Sequence, residues 1–298
     1  MPQPSSSSEE TGPEPATAEA PDVDTPDADS PNTDVKVEAP APDSGAGMPP
    51  AAPAPDTNVD NPAETEPLTV TQVLGVNQQV PVGVPGSWHL VFDDEFDTLN
   101  TAVWTPYWFN DCNPKSLKNN VKTCSSNVRV ANGEAVLQLS DDESGALLST
   151  NPKDGAPGHT GFEFTEGYVE ARIYFSGSCG AGIHNWAAWW TVGQQFPRTG
   201  EIDIAEPLAG DMWSVYHSGA GKKSRLVPGC WAGGYHTYGL HRKAGQNDIY
   251  YDGILVHSYA SKDGNSPHYL LLNVGNWSGP RILGDAGNMR VDYVRVWK

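Results

Sequence analysis

The run Glu201-Ile202-Asp203-Ile204-Ala205-Glu206 sets three carboxyl groups among apolar, partly β-branched residues that otherwise read as a buried strand. Side chains alternate faces along a strand, so Glu201 and Asp203 share one face while Ile202 and Ile204 take the other. Glu206 is an odd step from Asp203 and should point the wrong way. One extra residue, a β-bulge around Ala205, returns it to the carboxylate face. Two carboxyl groups about 5–5.5 Å apart can cut a glycosidic bond, one attacking the anomeric carbon while the other protonates the leaving oxygen. In that chemistry Glu201 is the nucleophile and Glu206 the general acid, then base. Asp203 hydrogen-bonds the nucleophile and sets its orientation and charge. Burial and neighbouring carboxylates keep an acid protonated near neutrality. The competing reading of the same acids is a calcium or salt-bridge cluster.

Aromatic residues flank the motif. Trp186, Trp189 and Trp190 precede it, Trp213, Tyr216 and His217 follow it, and Trp277 comes after the apolar run Tyr269–Val274. Indole rings suit the C–H faces of sugars, and core packing is the alternative for each. Adjacent Trp189 and Trp190 face opposite sides of a strand, which assigns Trp190 to the cleft and Trp189 to the core. His217 falls on the strand expected beside the acids, as either a substrate contact or a structural histidine. Gly-x-Ser-x-Gly and His-Glu-x-x-His do not occur, and Gly219–Ser224 only mimics a phosphate loop, whose first glycine would fall on Tyr216.

The elements that must hold these groups are short strands. Alternating apolar segments recur at Val128–Val130, Ala135–Leu139, Tyr168–Phe175, Trp186–Val192, Tyr235–Leu240, Asp248–Tyr251, Tyr269–Val274 and Met289–Trp297, with hairpin signals at Asn132-Gly133 and Asp252-Gly253. No long helical period and no internal repeat is present. The pattern predicts an all-β protein, a two-sheet β-sandwich or jelly roll.

Composition divides the chain. Residues 1–86 hold 15 of the 37 acidic residues, one basic residue (Lys36), most of the prolines, and no Trp, Tyr, Phe or Cys. Such a segment buries too little apolar surface to offset its ordering entropy and reads as a disordered acidic linker or tail. Leu68–Val84 is less polar and is a candidate extra strand. Residues 87–298 carry all ten Trp and eleven Tyr and form one domain. Of the net charge of −19, most therefore belongs to the tail. An acidic balance without a Lys/Arg stripe excludes a nucleic-acid surface, and no apolar run is long enough to span a membrane. Met1-Pro2-Gln3-Pro4 does not read as a secretory signal. Cys112, Cys124, Cys179 and Cys230 allow three pairings; the short polar loop between Cys112 and Cys124 makes that pair the natural first, leaving Cys179 with Cys230. Disulfides place the protein outside the cell, secreted, wall-associated or on a virion, with free thiols as the alternative.

Several segments together resemble glycoside hydrolase family 16, the laminarinase, agarase, carrageenase and lichenase group. Asp94-Glu95-Phe96-Asp97 with Leu99 and Trp104 is similar to the family's opening strand, and Phe164 with Gly167–Ile173 to its central stretch. Trp186–Trp190, Gly200–Glu206, Tyr235–Leu240 and Val291–Val296 match in the same order. The resemblance runs from about Ser87 to the end. It implies a jelly roll of the concanavalin A-like kind with a concave cleft and retention of anomeric configuration, and the six-residue motif is the bulged form, not the lichenase form. It also implies one structural calcium ion, held by the Asp292 side chain with backbone oxygens near Glu95 and Gly133, and no cofactor for catalysis.

Two departures stand out. Gln195-Phe196-Pro197 replaces the Gly-Trp-Pro of laminarinases, so Phe196 takes the place of a sugar-binding Trp. His241-Arg242-Lys243 replaces the segment in which the family usually has Trp. The expectation is a monomeric, retaining, endo-acting hydrolase of a polysaccharide, β-1,3-glucan first and a β-galactan such as agarose second. A lectin-like carbohydrate-binding module on a virion or cell surface is the reading from a different class. The intact pair Glu201 and Glu206 favours catalysis.

Overall fold

The computed structural model describes residues 79–113 and 117–298. The tail reading of residues 1–78 lies outside them. Two large antiparallel-dominated sheets face each other. One runs in the order Ile254–Ala260, Gln246–Tyr251, Tyr235–Lys243, Gly167–Tyr174, Met289–Trp297, Glu134–Leu137, Val128–Ala131, with Leu90–Asp94 also paired to Met289–Trp297. The other runs Gly221–Leu226, Asp211–Ser218, Glu201–Leu208, Trp186–Gly193, His268–Gly275, Ser144–Ser149, Lys122–Thr123, with Glu163–Phe164 also on His268–Gly275. Helical structure among the described residues is confined to short 3-10 turns such as Ser125–Asn127. None is long and apolar enough to cross a membrane. The all-β sandwich follows from the period-2 pattern: Val169, Ala171 and Ile173 of one sheet and Ile202, Leu270 and Leu272 of the other are fully buried in one core.

Both hairpin signals form. Asn132 and Gly133 have φ of 58° and 74°, and Asp252 and Gly253 have 47° and 75°, the left-handed pair that a two-residue turn between twisted strands requires. Strands Ser144–Ser149 and Gly221–Leu226 were not anticipated; the second, Gly-Lys-Lys-Ser-Arg-Leu, is an exposed edge with no apolar alternation. The disulfides are Cys112–Cys124 and Cys179–Cys230.

Residues 79–86, assigned above to the tail, pack on the sheet that lacks the acids. Trp297 Nε1 donates to Gln79 O at 2.7 Å, and the Val82 amide donates to the Glu170 carboxylate at 3.1 Å. Val84 is buried with Tyr168 and Trp297. Gly83, at φ +67°, meets Gly253 so closely that a Cβ would lie 2.6 Å from the Gly253 Cα. The segment 79–84 contains no strand; the rest of the candidate strand Leu68–Val84 lies outside the described residues. The folded part thus includes these eight residues. A chain beginning at Gln79 should melt at the temperature of the full chain by calorimetry. One beginning at Ser87 should melt about 5–10 °C lower, and equal melting of the two would contradict the packing described here.

Candidate active site

The strand Glu201–Leu208 is flanked by Trp186–Gly193 and Asp211–Ser218, and all eight of its residues are buried. Glu201 lies opposite His217 and Asp203 opposite Val215, but Glu206 lies opposite Trp213, a register shift of one residue between Asp203 and Glu206. The neighbour on the other side records the same shift, with Asp203 opposite Trp190 and Ala205 opposite Trp189. This is the bulge that the spacing predicts, and it brings all three acids to one face. Behind it, Ile202 and Tyr216 point into the core. The Tyr251 hydroxyl reaches across from the opposite sheet to donate to Ile204 O at 2.7 Å, serving a carbonyl at the point where the ladder is disrupted.

The acids are out of reach of bulk water: Glu201 is 3 %, Asp203 6 % and Glu206 2 % exposed. Trp186 Nε1 donates to Glu206 Oε1 at 2.9 Å. The other oxygens, Glu201 Oε2 and Glu206 Oε2, are buried with no hydrogen-bond partner among the described residues. His217 Nε2 stands 3.7 Å from Asp203 Oδ2. Lys222, opposite His217, extends a row Glu201–His217–Lys222 across three strands. Burial, with the Glu206 charge beside it, pushes Glu201 up to about 8. Burial also raises Glu206 to about 7, where the Trp186 hydrogen bond and then the Lys222 charge hold it back. Asp203 rises well above its ordinary value, from burial first and then the two flanking glutamates. Carboxyls this close share their protons, so each step of titration belongs to the group and not to one residue, and burial holds those protons to higher pH than on exposed carboxyls.

Of the aromatic residues singled out in the sequence, Trp186, Trp190 and Trp213 lie on this face, whereas Trp189 and Tyr216 belong to the core. Trp277 packs edge-on against Trp186 with centroids 5.3 Å apart. Trp213 is part-buried opposite Glu206. Trp189 Nε1 donates to Tyr238 O in the opposite sheet at 3.1 Å, fixing it in the core. Trp190 lies on the acid face but is only 5 % exposed, because Trp108 covers it edge-on at 5.4 Å. Its Nε1 donates to Asn273 Oδ1 at 2.8 Å, so Trp190 acts as a buried wall more than as an open platform. Phe196 sits on the turn leading into Glu201, part-buried, followed by a cis peptide to Pro197. Trp108, Asn273 and Lys222 were not among the sequence candidates. Asn273 was readable in principle, as an unpaired polar residue inside the apolar run Tyr269–Val274.

Among the described residues, Glu201, Asp203 and His217 are the one group whose three side-chain donors lie close enough, within 4.8 Å, for a metal ion. Two of these are the carboxyls, and the third the histidine, that the sequence places at the candidate site. On the other sheet, Asp292 Oδ2 accepts from Arg172 Nη1 at 2.7 Å, and the Glu95 carboxylate takes both Nε and Nη2 of Arg295 at 2.7 and 2.8 Å. Gly133 lies in its hairpin turn. A calcium ion at Asp292 would share its ligand with a guanidinium.

Solved structures share this architecture. SCLam, a non-specific endo-β-1,3(4)-glucanase from family 16, is 26 % identical, with a TM-score of 0.59 over 74 % of this chain and 94 % of that one. A laminarinase from Flavobacterium sp. UMI-01 is 22 % identical, TM-score 0.56, covering 70 % and 100 %. A GlcNAcα1-4Gal-releasing endo-β-galactosidase from Clostridium perfringens is 23 % identical, TM-score 0.56, covering 74 % and 65 %. The last two likenesses extend to the fold alone. No curated protein matches by sequence. The model of glycosyl hydrolases family 16 matches residues 118–295, and with the fold and the motif in hand the chain belongs to that family.

Proposed function

We propose that the protein is an extracellular, retaining, endo-acting glycoside hydrolase that cuts β-1,3-glucan. The observation that carries this reading is the bulged strand, which turns Glu201 and Glu206 to one face with a free, buried oxygen on each. Family membership and a 26 % identical β-1,3(4)-glucanase support the glycan class. In the first step the Glu201 carboxylate forms a bond to the anomeric carbon as Glu206 gives its proton to the departing glycosidic oxygen. In the second, Glu206 takes a proton from water, the water oxygen bonds the anomeric carbon, and Glu201 leaves. Positive charge developing at the anomeric carbon favours the ionised form of Glu201, the carboxylate facing it. Burial and the flanking glutamates raise Asp203, and in its protonated form it can donate a hydrogen bond to the Glu201 carboxylate.

A reducing-end assay over laminarin, lichenan, agarose and carrageenan tests the reading, with Glu201→Gln as control. Release from laminarin that the variant lacks is expected. Release from agarose alone would move the substrate to β-galactan, and binding without release on any glycan would leave a lectin. Proton NMR of early product should show the β-anomer first.

The raised carboxyls have two further consequences. One group must be ionised and another protonated, so kcat/KM should be bell-shaped with limbs near the group's values of about 7 and about 8. Glu206→Gln removes a negative neighbour and lowers the Glu201 value. With an aryl glycoside whose leaving group needs no acid, the acidic limb should therefore shift to lower pH; a limb that stays in place would contradict the coupling. For stability, the native state holds protons that the unfolded chain releases from its ordinary value of 4.5 upward. Stability from these groups accordingly falls as pH rises from there through about 8. Glu201→Gln should raise the melting temperature at pH ~9 by several degrees, and the gain should vanish towards pH ~4.

A further inference from the structure

The departure at His241-Arg242-Lys243 has a structural counterpart. Arg242, on the strand Tyr235–Lys243, is buried with its side chain 1 % exposed, and its Nη2 lies 3.1 Å from Oδ2 of Asp263, whose side chain is fully buried. Arg242 Nη1 donates to the carbonyls of Thr165 at 2.9 Å and Ser266 at 2.6 Å. Asp263 Oδ1 accepts from the Ser261 hydroxyl and the Asn265 amide. His268 completes the group: its Nε2 donates to Thr199 O at 2.6 Å and stands 4.0 Å from Asp263 Oδ2, while the Thr191 hydroxyl donates to its Nδ1 at 2.9 Å. The tautomer follows from the carbonyl, which can only accept.

Desolvation generally offsets the attraction within a buried ion pair, so net stability is a poor reason to keep one. What this group touches is more specific. Thr199, held by His268, and Gly200 are the two residues that lead into Glu201. Gly200 has φ +76°, and a Cβ there would lie 2.7 Å from the Asp263 Cβ. The Gly193 amide donates to Gly200 O at 3.1 Å, and Gly193 is the register partner of His268. The backbone entering Glu201 is thereby held by His268, on the strand beyond Trp186–Gly193, and approached by Asp263 from the loop after Ala260, which Arg242 anchors to the opposite sheet.

We propose that Arg242, Asp263 and His268 are positioning residues for Glu201, setting where its carboxylate meets the anomeric carbon. This rests on the hydrolase reading above. Misplacement of a reacting group by about 1 Å can cost on the order of 100-fold in rate. The test is steady-state kinetics on the glycan that the wild type cleaves best, with melting temperatures measured alongside. His268→Leu, which loses the donor to Thr199, should lower kcat about 10- to 100-fold with KM within about twofold. His268→Gln, which keeps a donor, should recover most of that loss. Asp263→Asn should behave like His268→Leu; if it does not fold, the His268 pair decides alone. A folded His268→Leu with undiminished kcat, or a loss in KM alone, would overturn the positioning role while leaving the hydrolase reading intact. A wild type that cleaves no glycan would overturn the hydrolase reading, and this role with it.

Discussion

Three carboxyl groups on one face of one buried strand repel one another, and much of the domain is arranged to hold them there. Burial disfavours the charged form of each; neighbouring glutamates add to the effect at Glu201 and Asp203, and only the Trp186 hydrogen bond and the Lys222 charge counter it at Glu206. What offsets it is packing on the opposite face of the same strand. Ile202, Ile204 and Ala205 are fully buried against the second sheet, each large apolar side chain contributing about 1.5–3 kcal/mol. The bulge joins the two requirements. It lets Glu206 face the site while the residues around it stay in the core, and Tyr251 takes up Ile204 O at that point.

The two sheets therefore divide the work. The sheet containing Glu201–Leu208 presents the three acids. The other backs it with Tyr238, which receives Trp189, and Tyr251, and through Arg242 it holds Asp263 beside the residues that lead into Glu201. Residues 79–86 seal the outer side of that backing sheet over Tyr168 and Trp297. Rigidity at the acids is thus built in layers, from the outer segment through the core to the bulge.

The legible part of this was local. Period-2 alternation marked most of the strands, Asn-Gly and Asp-Gly marked two hairpins, and the odd spacing of Glu206 announced the bulge. The rest depends on contacts distant in sequence. Gln79–Val84 has the proline- and valine-bearing composition of the tail before it, and only the Trp297 and Glu170 partners, far along the chain, reveal its place. Arg242 sits between His and Lys and reads as a solvated residue; its partner Asp263 lies in a polar loop that reads the same way. Trp190 was placed on the correct face, but its burial follows from Trp108, in a loop whose course the sequence does not announce. Gly221–Leu226 forms a strand because it pairs with Asp211–Ser218, not because of any apolar pattern of its own.

In the covalent mechanism proposed above, Glu201 is the nucleophile and the bulge brings Glu206 to the same face. Its most direct test is mass spectrometry after incubation with a 2-deoxy-2-fluoro glycoside bearing an activated leaving group, which slows release of a glycosyl-enzyme. One added glycosyl unit per chain is expected, on the side chain of Glu201. A label on Asp203 or Glu206, or turnover of a cleavable glycan to the α-anomer with no label, would contradict it.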